Sequence, residues 1–153
     1  MPEISQPAPD FTLPSTGGDD VTLSALKGQP VVLFFYPRDD TPGCTKESVG
    51  FSESREDFAA AGAKVFGISK DSMASHEKFA TKRSLEIPLL SDENGTACED
   101  YGVWKEKNMY GKKYMGIERT TFLIAADGTI AKIWNKVKVP GHVDDVLESV
   151  RAL

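Results

Sequence analysis

The segment Pro30–Tyr36 is the feature that most limits how this chain can fold. It reads Pro-Val-Val-Leu-Phe-Phe-Tyr, an uninterrupted apolar run rich in β-branched and aromatic residues. Such a run is typical of a strand buried on both faces, which requires a sheet that other elements cover on both sides. Ala63–Ser69 is a second, mostly apolar segment of this kind. The two segments predict a layered α/β protein built on a central sheet.

The remaining predicted elements alternate around these two strands. Three stretches have the capping residues or periodicity of helices: Cys44–Ala60, Ser72–Arg83 behind an Asp71-Ser72 cap, and Val143–Ala152. Five more are typical of short strands: Phe11–Leu13, Val21–Leu23, Ile87–Leu90, Thr120–Ala126 and Thr129–Trp134. Asp127-Gly128, between the last two, is a strong hairpin signal. Alternation followed by a hairpin predicts a thioredoxin-like fold, with a central mixed β-sheet flanked by helices and an N-terminal β-hairpin extension.

Length and charge indicate the broad class of protein. The 153 residues fit a single domain spanning 1–153, and 40% of them are hydrophobic and 27% charged. A net charge of −5 without any basic block argues against nucleic-acid partners, because phosphate binding needs clustered lysine and arginine. The polar N-terminus does not resemble a signal peptide, and no apolar run approaches the roughly 18 residues of a membrane span. We therefore expect a cytoplasmic protein that does not enter a membrane.

The chain contains two cysteines, Cys44 and Cys98, which are far apart and form no Cys-x-x-Cys motif. A structural disulfide is not expected in a reducing compartment, and a thioredoxin-type disulfide oxidoreductase would need that motif. A cysteine hydrolase needs a histidine base, but His76 is expected to pack or lie on the surface of a helix, and His142 to lie near a helix cap. These four residues show no metal-ligand spacing. Neither a metal nor another cofactor is predicted.

Cys44 stands where a helix begins, directly after the first buried strand and its loop. Unpaired backbone N–H groups and the positive end of the helix dipole favour a thiolate there, and the thiolate is the nucleophilic form. The loop supplies the Thr41 hydroxyl, while Pro37 and Pro42 restrict its backbone. Gly43 leaves no side chain beside the sulfur, so that a small substrate can approach the backbone. This setting predicts a reactive cysteine.

One spacing favours a different interpretation of the same residue. Cys44, Phe51 and Phe58 follow one another at intervals of seven residues and would share one face of a helix. If that face is buried, Cys44 is an ordinary core cysteine, which is what free cysteines often are. The residues alone leave both interpretations open.

The loop and the helix start resemble a known family. Pro37-x-x-x-Thr41-x-x-Cys44 resembles the active-site signature of peroxiredoxins. Five ordered motifs resemble the peroxiredoxin Q subfamily, also called bacterioferritin comigratory protein: Phe35-Tyr36-Pro37, Thr41-Pro42-Gly43-Cys44-Thr45-Lys46-Glu47, Ser91-Asp92-Glu93, Tyr101-Gly102-Val103-Trp104 and Gly116-Ile117-Glu118-Arg119. The similarity extends from Pro9-Asp10-Phe11 to the last helix. It implies a thiol peroxidase of antioxidant defence, a monomer or weak dimer, that reduces hydrogen peroxide and organic hydroperoxides without a cofactor.

The resemblance also implies roles for individual residues. Cys44 would attack a peroxide oxygen and become a sulfenic acid. Thr41 would hydrogen-bond the peroxide, and backbone N–H groups near Gly43 and Cys44 would hold the leaving oxygen. Arg119 matches the active-site arginine of the family, and its permanent charge would stabilise the thiolate. Glu47, one helical turn after Cys44, would orient Arg119 through a salt bridge, or else is a solvated helix residue.

The chain departs from many members of the subfamily in having no obvious second, resolving cysteine. Those members carry it five residues after the first, where this chain has Val49, or in the next helix, where 72–83 contains none. We therefore expect a one-cysteine cycle in which thioredoxin, glutaredoxin or a small thiol reduces Cys44. A disulfide between Cys44 and Cys98 is the rival, and it requires local unfolding of the Cys44 helix. A redox sensor or thioredoxin-like binding module is the alternative to an enzyme.

Overall fold

The computed structural model describes residues 1–153. The strands are β1 (Thr12–Leu13), β2 (Val21–Thr22), β3 (Val31–Phe35), β4 (Lys64–Ser69), β5 (Leu89–Ser91), β6 (Trp104–Met109), β7 (Lys112–Ile117), β8 (Thr120–Ile124) and β9 (Ile130–Trp134). The helices are α1 (Pro42–Glu53), α2 (Arg55–Ala60), α3 (Met73–Arg83), α4 (Ala97–Asp100) and α5 (His142–Arg151). None of these helices has the length and hydropathy needed to cross a membrane.

Five strands form the central sheet, in the order β5-β4-β3-β8-β9. β3, β4 and β5 are parallel, whereas β8 is antiparallel to β3 and β9 is antiparallel to β8. The sheet is therefore mixed, as predicted, and β8 and β9 form the hairpin that Asp127-Gly128 indicates. β1 and β2 pair antiparallel as the N-terminal hairpin.

Strand β3 lies at the centre of the sheet, and each of its residues is buried. Its side chains alternate between two separate cores. Val31, Leu33 and Phe35 pack on one face with residues of β1 and α4. Val32 and Phe34 pack on the other face with residues of α1, α2, α3 and α5. This two-sided burial explains why the strand is apolar along its whole length.

The helix predicted over 44–60 is wrong in its bounds. α1 begins two residues earlier, at Pro42, and the chain leaves helical geometry at Ser54 before α2 begins at Arg55. Proline suits the first helical position because its missing N–H would have no intrahelical acceptor there. Cys44 is consequently the third residue of α1, within its first turn.

The sequence does not predict the hairpin of β6 and β7, which forms a two-stranded sheet of its own. Its strands are rich in lysine and poor in β-branched residues, so they lack the usual strand signal. The turn is made by Tyr110 and Gly111, which have φ values of 53° and 79°. Positive φ at both residues is typical of a tight hairpin turn. β7 ends at Ile117, so the hairpin delivers the chain to Arg119 and β8.

Candidate active site

The Cys44 sulfur lies at the start of α1, close to the carboxyl end of β3. The first hydrogen bond of the helix runs from the Thr45 N–H to the Thr41 carbonyl, at 2.8 Å. The N–H groups of Gly43 and Cys44 precede that bond and have no intrahelical acceptor. Pro42 contributes no N–H at all. The partial positive charge of the helix start is therefore concentrated around the cysteine.

Sheet pairing brings Arg119 to this sulfur although the two residues are 75 positions apart. β3 and β8 are antiparallel, with Phe35 opposite Thr120. The residue before Thr120 therefore lies beside the end of β3, where the active-site loop begins. Arg119 Nη2 donates to Cys44 Sγ at 3.2 Å. Arg119 thus lies beside the sulfur, where its permanent positive charge would favour a thiolate, and its part in the reaction stays a prediction.

Glu47 holds the other side of the guanidinium. It is fully buried, and its Oε1 accepts from Arg119 Nη1 at 2.8 Å. Burial raises the pKa of Glu47 to about 7, against the opposing attraction of Arg119. Burial also disfavours the charge on Arg119, but Glu47 and Cys44 more than offset this and raise its pKa. The salt bridge expected from the sequence is present, and the alternative of a solvated Glu47 is wrong.

Gly43 makes room for this arrangement. A Cβ atom at this position would lie 3.1 Å from Arg119 Nη2, which is closer than an ordinary van der Waals contact. The sequence interpretation gives the free space beside Gly43 to the substrate, whereas the structure fills it with the guanidinium. Gly43 therefore determines how closely Arg119 can approach Cys44.

Thr41 and Pro37 belong to the loop that precedes α1. Thr41 has extended backbone geometry, and its Oγ1 donates to the Arg38 carbonyl at 3.0 Å. This bond orients the hydroxyl and leaves its oxygen lone pairs free to accept a hydrogen bond. Pro37 follows the buried Tyr36, and Pro37 and Thr41 are each half-buried. Their roles toward a peroxide remain predictions.

Cys44 has features of both a core cysteine and a reactive cysteine, the two interpretations that its sequence context allows. It is 1% exposed and belongs to the same core as Phe51 and Phe58, as the seven-residue spacing indicates. Its bond to a charged guanidinium nevertheless distinguishes it from an inert core cysteine. Because burial excludes competing water, the attraction between this sulfur and Arg119 is stronger than it would be at the surface.

Cys98 lies on the opposite face of the central sheet. It is fully buried in α4 and packs in the core that contains Phe35, whereas Cys44 packs in the core that contains Phe34. Both thiols are free. Burial and the adjacent Asp92 carboxylate raise the pKa of Cys98, which keeps it a neutral thiol. The expectation of a partly buried residue understates its burial.

The motif analysis assigns no part in the site to two further residues, Lys107 and His76. Lys107 on β6 is half-buried, and burial together with the charge of Arg119 lowers its pKa. His76 is fully buried in α3, and its Nδ1 lies 2.7 Å from Asp39 Oδ2. The three-residue spacing of His76 and Phe79 could have indicated a shared buried face of α3. No sequence pattern indicates the loop conformation that brings Asp39 to it.

Comparison with known proteins places this arrangement in a family. The AhpC/TSA family matches residues 4–133 of the chain. A putative peroxiredoxin Bcp of Coxiella burnetii is 54% identical over 145 residues, which are 95% of this chain and 96% of the relative. Peroxiredoxin Bcp of Bacillus subtilis is 47% identical over 149 residues, which are 97% of this chain and 95% of the relative.

Solved structures agree with this placement. The bacterioferritin comigratory protein of Xanthomonas campestris has a TM-score of 0.88 and 45% identity, covering 93% of this chain and 90% of that one. A mutant PrxQ of Xylella fastidiosa has a TM-score of 0.93 and 38% identity, covering 99% and 97% of the two chains. The predicted thioredoxin-like fold is confirmed by these neighbours. The chain therefore belongs to the AhpC/TSA family and is a peroxiredoxin of the Bcp, or peroxiredoxin Q, group, that is, a thiol-dependent peroxidase.

Proposed function

We propose that Cys44 is the residue through which this peroxiredoxin reduces hydrogen peroxide and organic hydroperoxides. The observation that supports this most directly is the bond of 3.2 Å from Arg119 Nη2 to Cys44 Sγ at the start of α1. The thiolate forms a bond to one peroxide oxygen, the O–O bond breaks, and the leaving oxygen takes a proton to give water or an alcohol. The similar protein of Xanthomonas campestris has alkyl peroxide reduction activity.

The groups around the sulfur have complementary parts in this step. The N–H groups of Gly43 and Cys44 stabilise the charge that develops on the leaving oxygen. The Thr41 hydroxyl, whose own proton is committed to a backbone carbonyl, accepts a hydrogen bond from the peroxide. Arg119 stabilises the thiolate, and Glu47 fixes the orientation of Arg119. Pro37 shapes the loop by fixing its φ angle.

We propose further that an external thiol, and not Cys98, reduces the sulfenic acid. A disulfide needs Cα atoms within about 4.4–6.8 Å of each other, and the central sheet lies between Cys44 and Cys98. The neutral Cys98 thiol is also a poor nucleophile. The external thiol attacks the sulfenic sulfur and releases water, and a second thiol then displaces Cys44 from the mixed disulfide.

The same features support our proposal for the reductant and the cellular compartment. Thioredoxin, glutaredoxin or a small thiol can supply the electrons, and the cytoplasm provides such thiols. Two free cysteines fit a reducing compartment. The site is complete within one chain, because Cys44, Glu47 and Arg119 all belong to it. We therefore expect the single domain of residues 1–153 to be active as a monomer.

Two cysteine variants and mass spectrometry test this proposal. Cys44→Ser should abolish peroxide consumption in the presence of thioredoxin, its reductase and NADPH, or of dithiothreitol, whereas Cys98→Ser should retain most of it. After one equivalent of hydrogen peroxide, a sulfenic-acid trap should label Cys44. A crosslink between positions 44 and 98 with loss of two hydrogens would contradict the one-cysteine cycle. Stoichiometric oxidation without turnover by any thiol would favour a redox sensor instead.

A further inference from the structure

The loop between β3 and α1, residues 36–41, is attached to α3 at two points. At the surface, Asp40 pairs with Lys82 at 2.6 Å and with Arg83 at 2.8 Å. Beneath that pair, Asp39 is buried and accepts a hydrogen bond of 2.7 Å from Ser75 Oγ. These contacts lie outside the group of residues that surrounds the Cys44 sulfur. They connect the active-site loop to a helix that has no other part in the site.

His76 is the central partner of Asp39. Its side chain is 0% exposed, its Nδ1 lies 2.7 Å from Asp39 Oδ2, and its Nε2 lies 2.9 Å from the Leu90 carbonyl oxygen. A carbonyl only accepts, so Nε2 carries a hydrogen. A second proton must lie between Nδ1 and Oδ2, because two lone pairs at that distance would repel each other. The ring is thus held at both ends, between the loop and β5.

The other contacts of Asp39 leave it little freedom. Its Oδ1 accepts from Tyr36 Oη at 2.7 Å, and its backbone N–H donates to Asp71 Oδ2 at 2.9 Å. The next residue, Asp40, has a φ of 58°, which is uncommon outside glycine. Such a conformation persists only where surrounding contacts enforce it. Thr41 follows directly, so its position depends on these contacts.

We propose that the Asp39/His76 pair positions the active-site loop for the reaction with peroxide. Both are positioning residues, since neither hydrogen-bonds to Cys44. The inference rests on the proposed chemistry of Cys44. The pair holds Thr41 and the start of α1 in the alignment that a peroxide needs. When it is broken, the loop relaxes: peroxide reacts more slowly, while a reagent that needs no alignment reaches the sulfur more easily.

Two rate constants measured on the same proteins test this. Both are followed in a Cys98→Ser background, which leaves Cys44 as the only thiol: oxidation by hydrogen peroxide and alkylation by iodoacetamide. The disruptive variants are His76→Phe and Asp39→Ala. Asp39→Asn is the conservative variant, because its amide can donate to a neutral His76 ring. Ala80→Gly is the matched control, since glycine weakens the same helix at a residue that has no contact with Asp39 or Asp40.

We expect His76→Phe and Asp39→Ala to lower the peroxide rate constant about 10- to 100-fold, the effect of one lost charged hydrogen bond. Their alkylation rate constants should rise. Asp39→Asn should recover most of the peroxide reaction, and Ala80→Gly should leave both constants near those of the unchanged chain.

Three results would overturn the inference: disruptive variants that keep the peroxide rate constant, a control that loses it equally, or an Asp39→Asn variant as slow as Asp39→Ala. If His76→Phe does not fold, the comparison of the peroxide rate constants of Asp39→Asn and Asp39→Ala still tests the inference. An unchanged chain that shows no Cys44-dependent reaction with peroxide would instead refute the proposed function itself.

Discussion

Replacing Arg119 with methionine tests two effects of the guanidinium, one on the rate of reaction with peroxide and one on the free energy of unfolding. Methionine keeps an apolar stem of similar length but donates no hydrogen bond, so the 3.2 Å bond to Cys44 Sγ and the 2.8 Å pair with Glu47 are both lost. A hydrogen bond to a charged group contributes about 1.5–3 kcal/mol, and each 1.4 kcal/mol or so is a factor of ten in rate. We therefore expect the rate constant for peroxide to fall about 10- to 100-fold.

The effect of the same variant on stability acts through Glu47. A buried charge that loses its partner costs about 3–5 kcal/mol. The pKa of Glu47 is already raised by burial to about 7, so the carboxyl can take a proton near neutral pH and limit this loss. Adding Glu47→Gln to Arg119→Met removes the orphaned charge altogether. The double variant should regain most of the free energy of unfolding while the reaction with peroxide stays slow.

Stopped-flow oxidation and urea unfolding of the same proteins decide between the two effects. Arg55→Met is a matched control, because Arg55 pairs with Glu86 at the surface, away from the sulfur. It should leave the peroxide rate constant unchanged. If the double variant recovers its rate together with its stability, Arg119 acts only through folding. If Arg119→Met reacts as fast as the unchanged chain, the thiolate argument is wrong.

Two further predictions concern neighbours of this arginine. Gly43→Ala should displace the guanidinium, because its Nη2 would lie 3.1 Å from the new Cβ, and should slow peroxide reduction about tenfold. Gly50→Ala is the control, because its new Cβ would meet only Val143. Equal rate constants for the two variants would refute the steric argument. Because the pKa of Glu47 is raised from 4.5 to about 7 on folding, its contribution to stability is complete below pH 4.5 and is lost as the pH rises through 7. Between pH 4.5 and 7, the free energy of unfolding of the unchanged chain should therefore fall by up to about 3 kcal/mol more than that of Glu47→Gln, as measured by urea unfolding. An identical pH dependence in the unchanged chain and the variant would contradict this expectation.

Local patterns in the sequence predict the elements that depend on local chemistry. The apolar run Pro30–Tyr36 predicts the central strand, and Asp127-Gly128 predicts the hairpin of β8 and β9. The contact between Arg119 and Cys44 is different in kind, because it depends on the pairing of β3 with β8 across 75 residues. Spacing carries no signal for that register. The family resemblance supplied this contact, and the structure gives its geometry.

Buried polar networks are the part that no pattern predicts. Asp39 and Asp40 are adjacent acidic residues in a polar loop, and both would be assigned to solvent from the sequence. In the structure Asp39 is buried against His76, while Asp40 pairs at the surface with Lys82 and Arg83. Asp40, between Asp39 and Thr41, has a left-handed backbone. Such a conformation is decided by tertiary contacts, not by residue type.

The burial of Cys44 affects both its bond to Arg119 and its access to a reductant. A thiolate that is 1% exposed would be costly without a partner, so burial makes the bond to Arg119 necessary and also strengthens it. The same burial restricts access to the sulfenic acid, since a protein thiol cannot reach a sulfur enclosed in this way. If the reductant is a protein thiol, we therefore expect the first turn of α1 to move before the two sulfurs react. The loop held by Asp39 and His76 leads directly into that turn, so we expect a firmer attachment to align peroxide better and to admit a protein reductant more slowly.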